Sequence, residues 1–221
     1  MQVSKILEAV KNAYKKMQSA FDFKKTTDEL FAFFCSDLDE AIGEYEICYD
    51  FVWGKDSANI EGVTKNYIPQ KGDTLIMDIS VKKDGVWCDV CRTFFVGEPT
   101  EAQKADYEMI IRSIRAGHKA LKVGIKASDM YREVNTVYER NGEKLVHHAG
   151  HKIADIPVAQ PQFLPENDTI LERGVYAIES GIYREGLYGI RLENDFLVNE
   201  NGAEDLFESL MPLDIKEYIL Q

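Results

Sequence analysis

Hydrophobic and polar positions alternate with two different periods, and the order in which the periods appear divides the chain into two similar halves. Residues 4–17 carry apolar side chains at helical spacing with charges between them. A second helical pattern starts after residues 21–30 and ends near Gly43. Strand-like runs follow, Leu75-Ile76-Met77-Asp78-Ile79 and Val86-Trp87-Cys88-Asp89-Val90. The layout then recurs. A helix is predicted over 102–121, another ends near Gly142, and strand-like runs cover 175–183 and 188–198. In each half a hydroxyl residue, Thr27 or Ser128, precedes an acidic residue and an apolar run, an N-cap signature. Helix-helix-strands, twice over, predicts an α+β fold with antiparallel pairing. Two halves should pack about a pseudo-twofold, with the helices on one face of a curved sheet and residues 1–221 forming a single domain.

Four acids interrupt the strand runs. Asp78 and Asp89 flank Lys82-Lys83-Asp84-Gly85, whose Asp-Gly step is a strong hairpin signal. A turn closing between Lys83 and Asp84 would set the two aspartates directly opposite on one face. Glu179 and Glu193 are likewise symmetric about Gly186. Like charges opposite one another repel, and buried carboxylates without partners are costly. Two such pairs point to bridging cations. The competing account pairs Asp78 and Glu193 with Arg92 or Arg191. Buried ion pairs are weak stability devices, and two arginines do not neutralise four carboxylates. Imidazole is available too: His147, His148 and His151 lie within five residues, between the two hairpins. His118, in a helix beside Lys119, reads as surface.

Composition narrows the partners. The net charge of −12 counts against nucleic-acid binding, which needs a basic face. It is compatible with cations and with substrates bearing a free amine. No apolar run reaches membrane-spanning length. The N-terminus lacks the apolar block and cleavage site of a signal peptide, so a cytoplasmic protein is expected. Cys35, Cys48, Cys88 and Cys91 should then be reduced thiols. Cys88 and Cys91, three apart on a strand, would face opposite sides and not share a metal.

Taken in order, these residues resemble a known family. Gly72-Asp73, Met77-Asp78-Ile79 and the run Cys88-Asp89-Val90-Cys91-Arg92-Thr93-Phe94 are similar to the first metal segment of the pita-bread metallopeptidases. That family includes methionine aminopeptidase, aminopeptidase P, prolidase and creatinase. His147-His148-Ala149-Gly150-His151 resembles its histidine segment. Ala177-Ile178-Glu179-Ser180-Gly181 and Gly189-Ile190-Arg191-Leu192-Glu193-Asn194 resemble its two glutamate segments. The resemblance implies five metal ligands: Asp78 on one ion, Asp89 and Glu193 bridging two, His151 as the single histidine, and Glu179 as a ligand that also shuttles a proton. It makes His147 the histidine that meets the substrate or the tetrahedral intermediate. Arg191, two residues before the last ligand, resembles the Xaa-Pro branch more than methionine aminopeptidase and is the candidate substrate-binding residue. The implied activity is hydrolysis of the N-terminal peptide bond, at Xaa-Pro among others, by an aminopeptidase or dipeptidase. A hydroxide held between two divalent ions would be the nucleophile. Carboxylates with one imidazole suit Mn, expected here, as well as Co, Fe or Zn. The expected partner is a peptide, with the protein a monomer or homodimer.

The sequence also departs from that pattern. Residues 57–63 hold no histidine where the family has a substrate histidine. Val158, seven residues after His151, stands where another is expected. Lys152-Ile153-Ala154 replaces a glycine-rich stretch, and Ser180 replaces the proline after Glu179. The length fits the catalytic unit without the N-terminal domain of aminopeptidase P and prolidase. Two other readings share the fold. One is a module that has lost peptidase activity and binds peptide or protein, favoured by the missing histidines. The other is a hydrolase of a non-peptide C–N bond, analogous to creatinase. Retention of all five ligands opposes both.

Overall fold

The period-two runs become two long hairpins that meet in the middle of one sheet. A computed structural model of the protein describes residues 2–221, with side chains from residue 4 onward. In chain order the described residues form α1 (Gln2–Ser19), α2 (Thr27–Ile42), β1 (Glu46–Trp53), β2 (Thr74–Lys83), β3 (Val86–Val96), α3 (Glu101–Ala120) and α4 (Ala127–Glu139). There follow β4 (Gly150–Ile153), β5 (Ala159–Gln162), β6 (Gly174–Arg184), β7 (Tyr188–Asn199), β8 (Gly202–Asp205) and β9 (Ile219–Leu220). The strands join in the order β1-β2-β3-β7-β6-β4-β5, with β8 on β7 and β9 on β3. Every pairing is antiparallel except that of β3 with β9. The fold is α+β, as expected.

Strand alternation sorts the residues. Leu75, Met77, Ile79 and Val81 of β2 enter one core with α1 and α2. Ile178, Ile182, Ile190 and Leu192 of β6 and β7 enter the other core with α3 and α4. Tyr14 on α1 donates to the carbonyls of Met77 (2.8 Å) and Val90 (3.0 Å), pinning the helix to the first hairpin. The acids on the alternate positions are left on the opposite face.

The register of the first hairpin corrects the sequence reading. The loop is Asp84-Gly85, with φ of 51° and 82°, the pair of positive angles that a type I′ turn requires. Lys83 therefore pairs with Val86, which places Asp78 opposite Cys91 and Asp89 opposite Ser80. The two aspartates share a face as diagonal neighbours, not as a direct pair. Their repulsion is eased, and Ser80 donates to Asp89 Oδ1 at 2.9 Å. The second hairpin closes around Gly186, and Glu179 is directly opposite Glu193.

Two cap assignments also shift. Thr26, not Thr27, caps α2, in a reciprocal capping box with Glu29. Helix α4 is flanked by Lys126 without a side-chain cap, and Ser128 donates instead to Asp168. His118 is not a free surface group: it is half-buried, 2.9 Å from the Ala203 carbonyl and tilted against Phe196. All four cysteines are unpaired. Cys88 packs in the α1–α2 core, whereas Cys91 lies across the strand from Asp78 on the other face.

Candidate metal centre

Strands β3 and β7 touch at one registered pair, Cys91 with Glu193. That junction brings the two hairpins side by side, so Asp78, Asp89, Glu179 and Glu193 line a single cleft. His151 joins them because β4 pairs with β6 in the register His151–Ala177, putting the imidazole on the face of Glu179. The cleft measures about 320 Å3.

Two ligand clusters form within it. Asp89, His151 and Glu193 each present one atom, all within 4.8 Å of one another and all buried. His151 Nε2 is 3.2 Å from Glu193 Oε1 and 4.0 Å from Asp89 Oδ2. His147, His148 and Glu179 make the second cluster. His148 Nδ1 lies 3.3 Å and His147 Nδ1 3.8 Å from the Glu179 oxygens.

Proton positions follow from the hydrogen bonds. His151 Nδ1 is 3.3 Å from the Lys152 carbonyl, so its proton belongs there and Nε2 is left as an acceptor facing two carboxylates. A histidine ligand held by a backbone carbonyl in this way is the usual outer-shell arrangement at metal sites. His147 Nδ1 sits 2.6 Å from the His148 carbonyl, which leaves its Nε2 as a buried acceptor without a partner. Glu193 Oε1 and His148 Nδ1 are likewise without hydrogen bonds. Buried acceptors aimed at one another are costly unless a cation lies between them. The donor set therefore fits divalent metal.

The electrostatics agree. Burial raises Asp89 and Glu193 well above the carboxylate range, and neighbouring acids add to the effect. Asp78 is pushed up to about 6 by burial, moderated by Arg191. Burial also pushes Glu179 up, but His147, His148 and Arg191 outweigh it and hold that carboxyl below its ordinary value. Burial lowers His148 to about 4.

Arg191 is almost wholly enclosed. It pairs with Asp50 Oδ2 at 2.6 Å and donates to the Ile60 carbonyl. Its Nε is 3.0 Å from Asp78 Oδ2, without the alignment of a hydrogen bond, and 3.8 Å from Glu179 Oε1. Pairing of Asp78 with an arginine thus occurs, alongside the acidic cluster and not in place of it. Arg92 pairs with no carboxylate among the described residues. It donates to the carbonyls of Cys91, Glu193 and Met211 and to Asn194, which anchors β3 to β7.

Residues 2–200 match the profile of metallopeptidase family M24. The chain belongs to this family. A Xaa-Pro dipeptidase of Pyrococcus furiosus is 31% identical over 157 residues, covering 69% of this chain and 45% of that protein. The solved prolidase of Pyrococcus furiosus superimposes with a TM-score of 0.86 at 26% identity, over 91% of this chain and 61% of that one. An X-Pro aminopeptidase structure from Thermotoga maritima gives 0.83 at 23% identity, over 92% and 60%. The chain spans less than half the length of that curated relative. These M24 likenesses carry the pita-bread fold, with its helices packed on one face of the sheet.

All the residues singled out from the sequence line the M24 cleft: Asp78, Asp89, His147, His151, Glu179, Arg191 and Glu193. Two further neighbours, Asp50 and Asp195, are not singled out by the sequence pattern, and His148 enters it only as part of the histidine cluster. Asp50 sits in an unremarkable strand, and nothing local reveals that β1 places it across from Asp78. Asp195 was legible: it lies two residues beyond Glu193, hence on the same face. It is buried, and its Oδ2 accepts the Asp89 amide proton at 2.9 Å. Burial drives it up to about 8.

Proposed function

We propose that this M24 unit hydrolyses the N-terminal peptide bond of peptides, Xaa-Pro bonds included, as an aminopeptidase or dipeptidase. One observation carries the reading: Asp89 Oδ2, His151 Nε2 and Glu193 Oε1 converge as acceptors in a buried site. Asp78, Asp89, His151, Glu179 and Glu193 would hold two divalent ions, manganese foremost, since oxygen ligands with one imidazole suit it. Such ions polarise a carbonyl and lower the pKa of water.

The remaining chemistry belongs to the chain. Glu179, whose carboxyl is held below its ordinary value in spite of its burial, accepts the proton of the attacking water and returns it to the leaving amine. His147 Nε2 faces the cleft with an open lone pair. Once protonated there, it donates to the oxyanion of the tetrahedral intermediate. Arg191 acts through the wall it builds, holding Asp50 and the Ile60 carbonyl in place. The four unpaired cysteines fit a reducing compartment, the cytoplasm.

The test is a panel of Xaa-Pro-Xaa, Met-Xaa and Xaa-Xaa peptides, with Mn-reconstituted protein and Asp89→Ala as control. Metal-dependent release of the first residue is expected, with Xaa-Pro-Xaa among the substrates. Two bound metals without turnover of any peptide would overturn the proposal.

A further inference from the structure

Behind the cleft-facing side of β6, three buried hydroxyls join the strand to two helices. Glu179 lines the cleft, so Ser180, the next residue, turns to the helix side. There its Oγ lies 2.6 Å from Ser113 Oγ on α3 and 2.6 Å from the Tyr138 hydroxyl on α4. Ser113 donates onward to the Ile110 carbonyl at 2.7 Å, and Tyr138 to the Gly181 carbonyl at 2.9 Å. All three side chains are fully enclosed. Each hydroxyl has its partners, and a buried polar network that is fully satisfied rigidifies what it holds. Ser180 stands where the family pattern has proline, which has no hydroxyl to enter such a network.

The stretch of strand held in this way carries several parts of the site. Glu179 presents its carboxylate to the cleft, and its amide donates to the Ala149 carbonyl at 3.1 Å, within the histidine segment. Gly181 lies against His147: a Cβ there would come within 3.0 Å of His147 Nε2. We infer that Ser180, Tyr138 and Ser113 are positioning residues, which fix the height of β6 and through it the placement of Glu179 and His147 against the Asp89–His151–Glu193 cluster. The inference rests on the peptidase reading above and deepens it. The cluster itself stands on β3, β4 and β7, so loosening the network should misplace the groups that handle protons while the cluster stays assembled. Displacing reacting groups by about 1 Å costs about a hundredfold in rate.

Tyr138→Phe and Ser180→Ala each delete one oxygen and leave the packing in place. At saturating Mn, with the best substrate of the peptide panel, each should lower kcat by about ten- to a hundredfold and leave KM unchanged. The double variant should fall little further than either single one, since the residues act as one unit. In chelated protein, the ring-nitrogen NMR signals of His147 should shift in both variants while those of His118 stay in place. Ile6→Val, the loss of one buried methylene in the α1–α2 core, controls for stability and should leave kcat and the signals as they are. Wild-type kcat in the Tyr138 and Ser180 variants, or an equal loss in Ile6→Val, would overturn the inference and leave the peptidase reading intact. If the wild-type protein turns over no peptide, the signals decide: a His147 shift keeps the positioning role and sinks the peptidase reading, and unmoved signals overturn both. Should Tyr138→Phe fail to fold, Ser180→Ala carries the test.

Discussion

Arg191→Met removes the one guanidinium that the cleft contains. The cost can be worked from its contacts. Arg191 is 2% exposed, and its partners Asp50 and Asp78 are 21% and 17% exposed at the side chain. Deleting one member of a buried ion pair costs about 3–5 kcal/mol, because the other charge stays behind unpaired. Both aspartates keep some contact with water, so the lower end applies, about 3 kcal/mol. The lost bond to the Ile60 carbonyl falls within that figure, since the 54–62 segment can rehydrate. For a chain of this size the shift is about 6–12 °C in Tm. Arg191→Lys keeps the charge but offers a single ammonium where the guanidinium reaches Asp50, Asp78 and Ile60 together, so about half the loss should remain. Adding Mn should narrow the gap between variant and wild type, since a cation beside Asp78 takes over part of the neutralisation. Urea unfolding at pH 7, with chelator and with Mn, measures all of this. A Met variant within about 1 kcal/mol of wild type, or a Lys variant equal to it, would refute the argument.

Asp89→Ala should abolish both metal binding and peptide turnover, whereas His147→Ala should cut turnover by about 10²–10⁴ and leave metal content unchanged; elemental analysis beside kinetics separates the two. Gly150 has φ of 141°, and a Cβ there would lie 2.1 Å from the Ala177 carbonyl, so Gly150→Ala should pull β4 from β6, displace His151 and destabilise by at least about 2 kcal/mol in denaturant unfolding. Asp195 has a folded-state pKa raised to about 8, above its unfolded value, so its contribution is fully present below about pH 4 and is lost as pH rises through 8. In chelator, wild type should therefore lose stability between pH 5 and 8, and Asp195→Asn should show a shallower slope over that window; equal slopes would remove Asp195 from the account.

Much of the site could be read from the chain because it sits on strands. Period two fixes which residues share a face, so Asp78 with Asp89 and Glu179 with Glu193 were legible as pairs. Register was less secure. Shifting the centre of the first turn by one residue moved the partner of Asp78 from Asp89 to Cys91, and only the positive φ of both Asp84 and Gly85 decides it. Long-range placement was not legible at all. Asp50 meets Arg191 across 141 positions, through pairings of β1 with β2 and β3 with β7 that no local pattern announces. His118 read as surface because its partner, the Ala203 carbonyl, lies 85 positions away.

Charge balance ties these residues into one device. Asp50 and Arg191 cancel, and the upward shift of Asp195 to about 8 leaves it protonated at neutral pH. Asp78, Asp89, Glu179 and Glu193 remain, four negative charges that two divalent ions would neutralise. Taken by themselves, the buried side chains answer by taking up protons: Asp89 and Glu193 rise steeply and Asp78 reaches about 6. Metal binding must then displace those protons, which makes affinity fall as pH drops. Glu179 is the exception, because His147, His148 and Arg191 already offset its burial. It stays ionised without help from a metal, and it is the carboxylate that the proposed chemistry needs as a base.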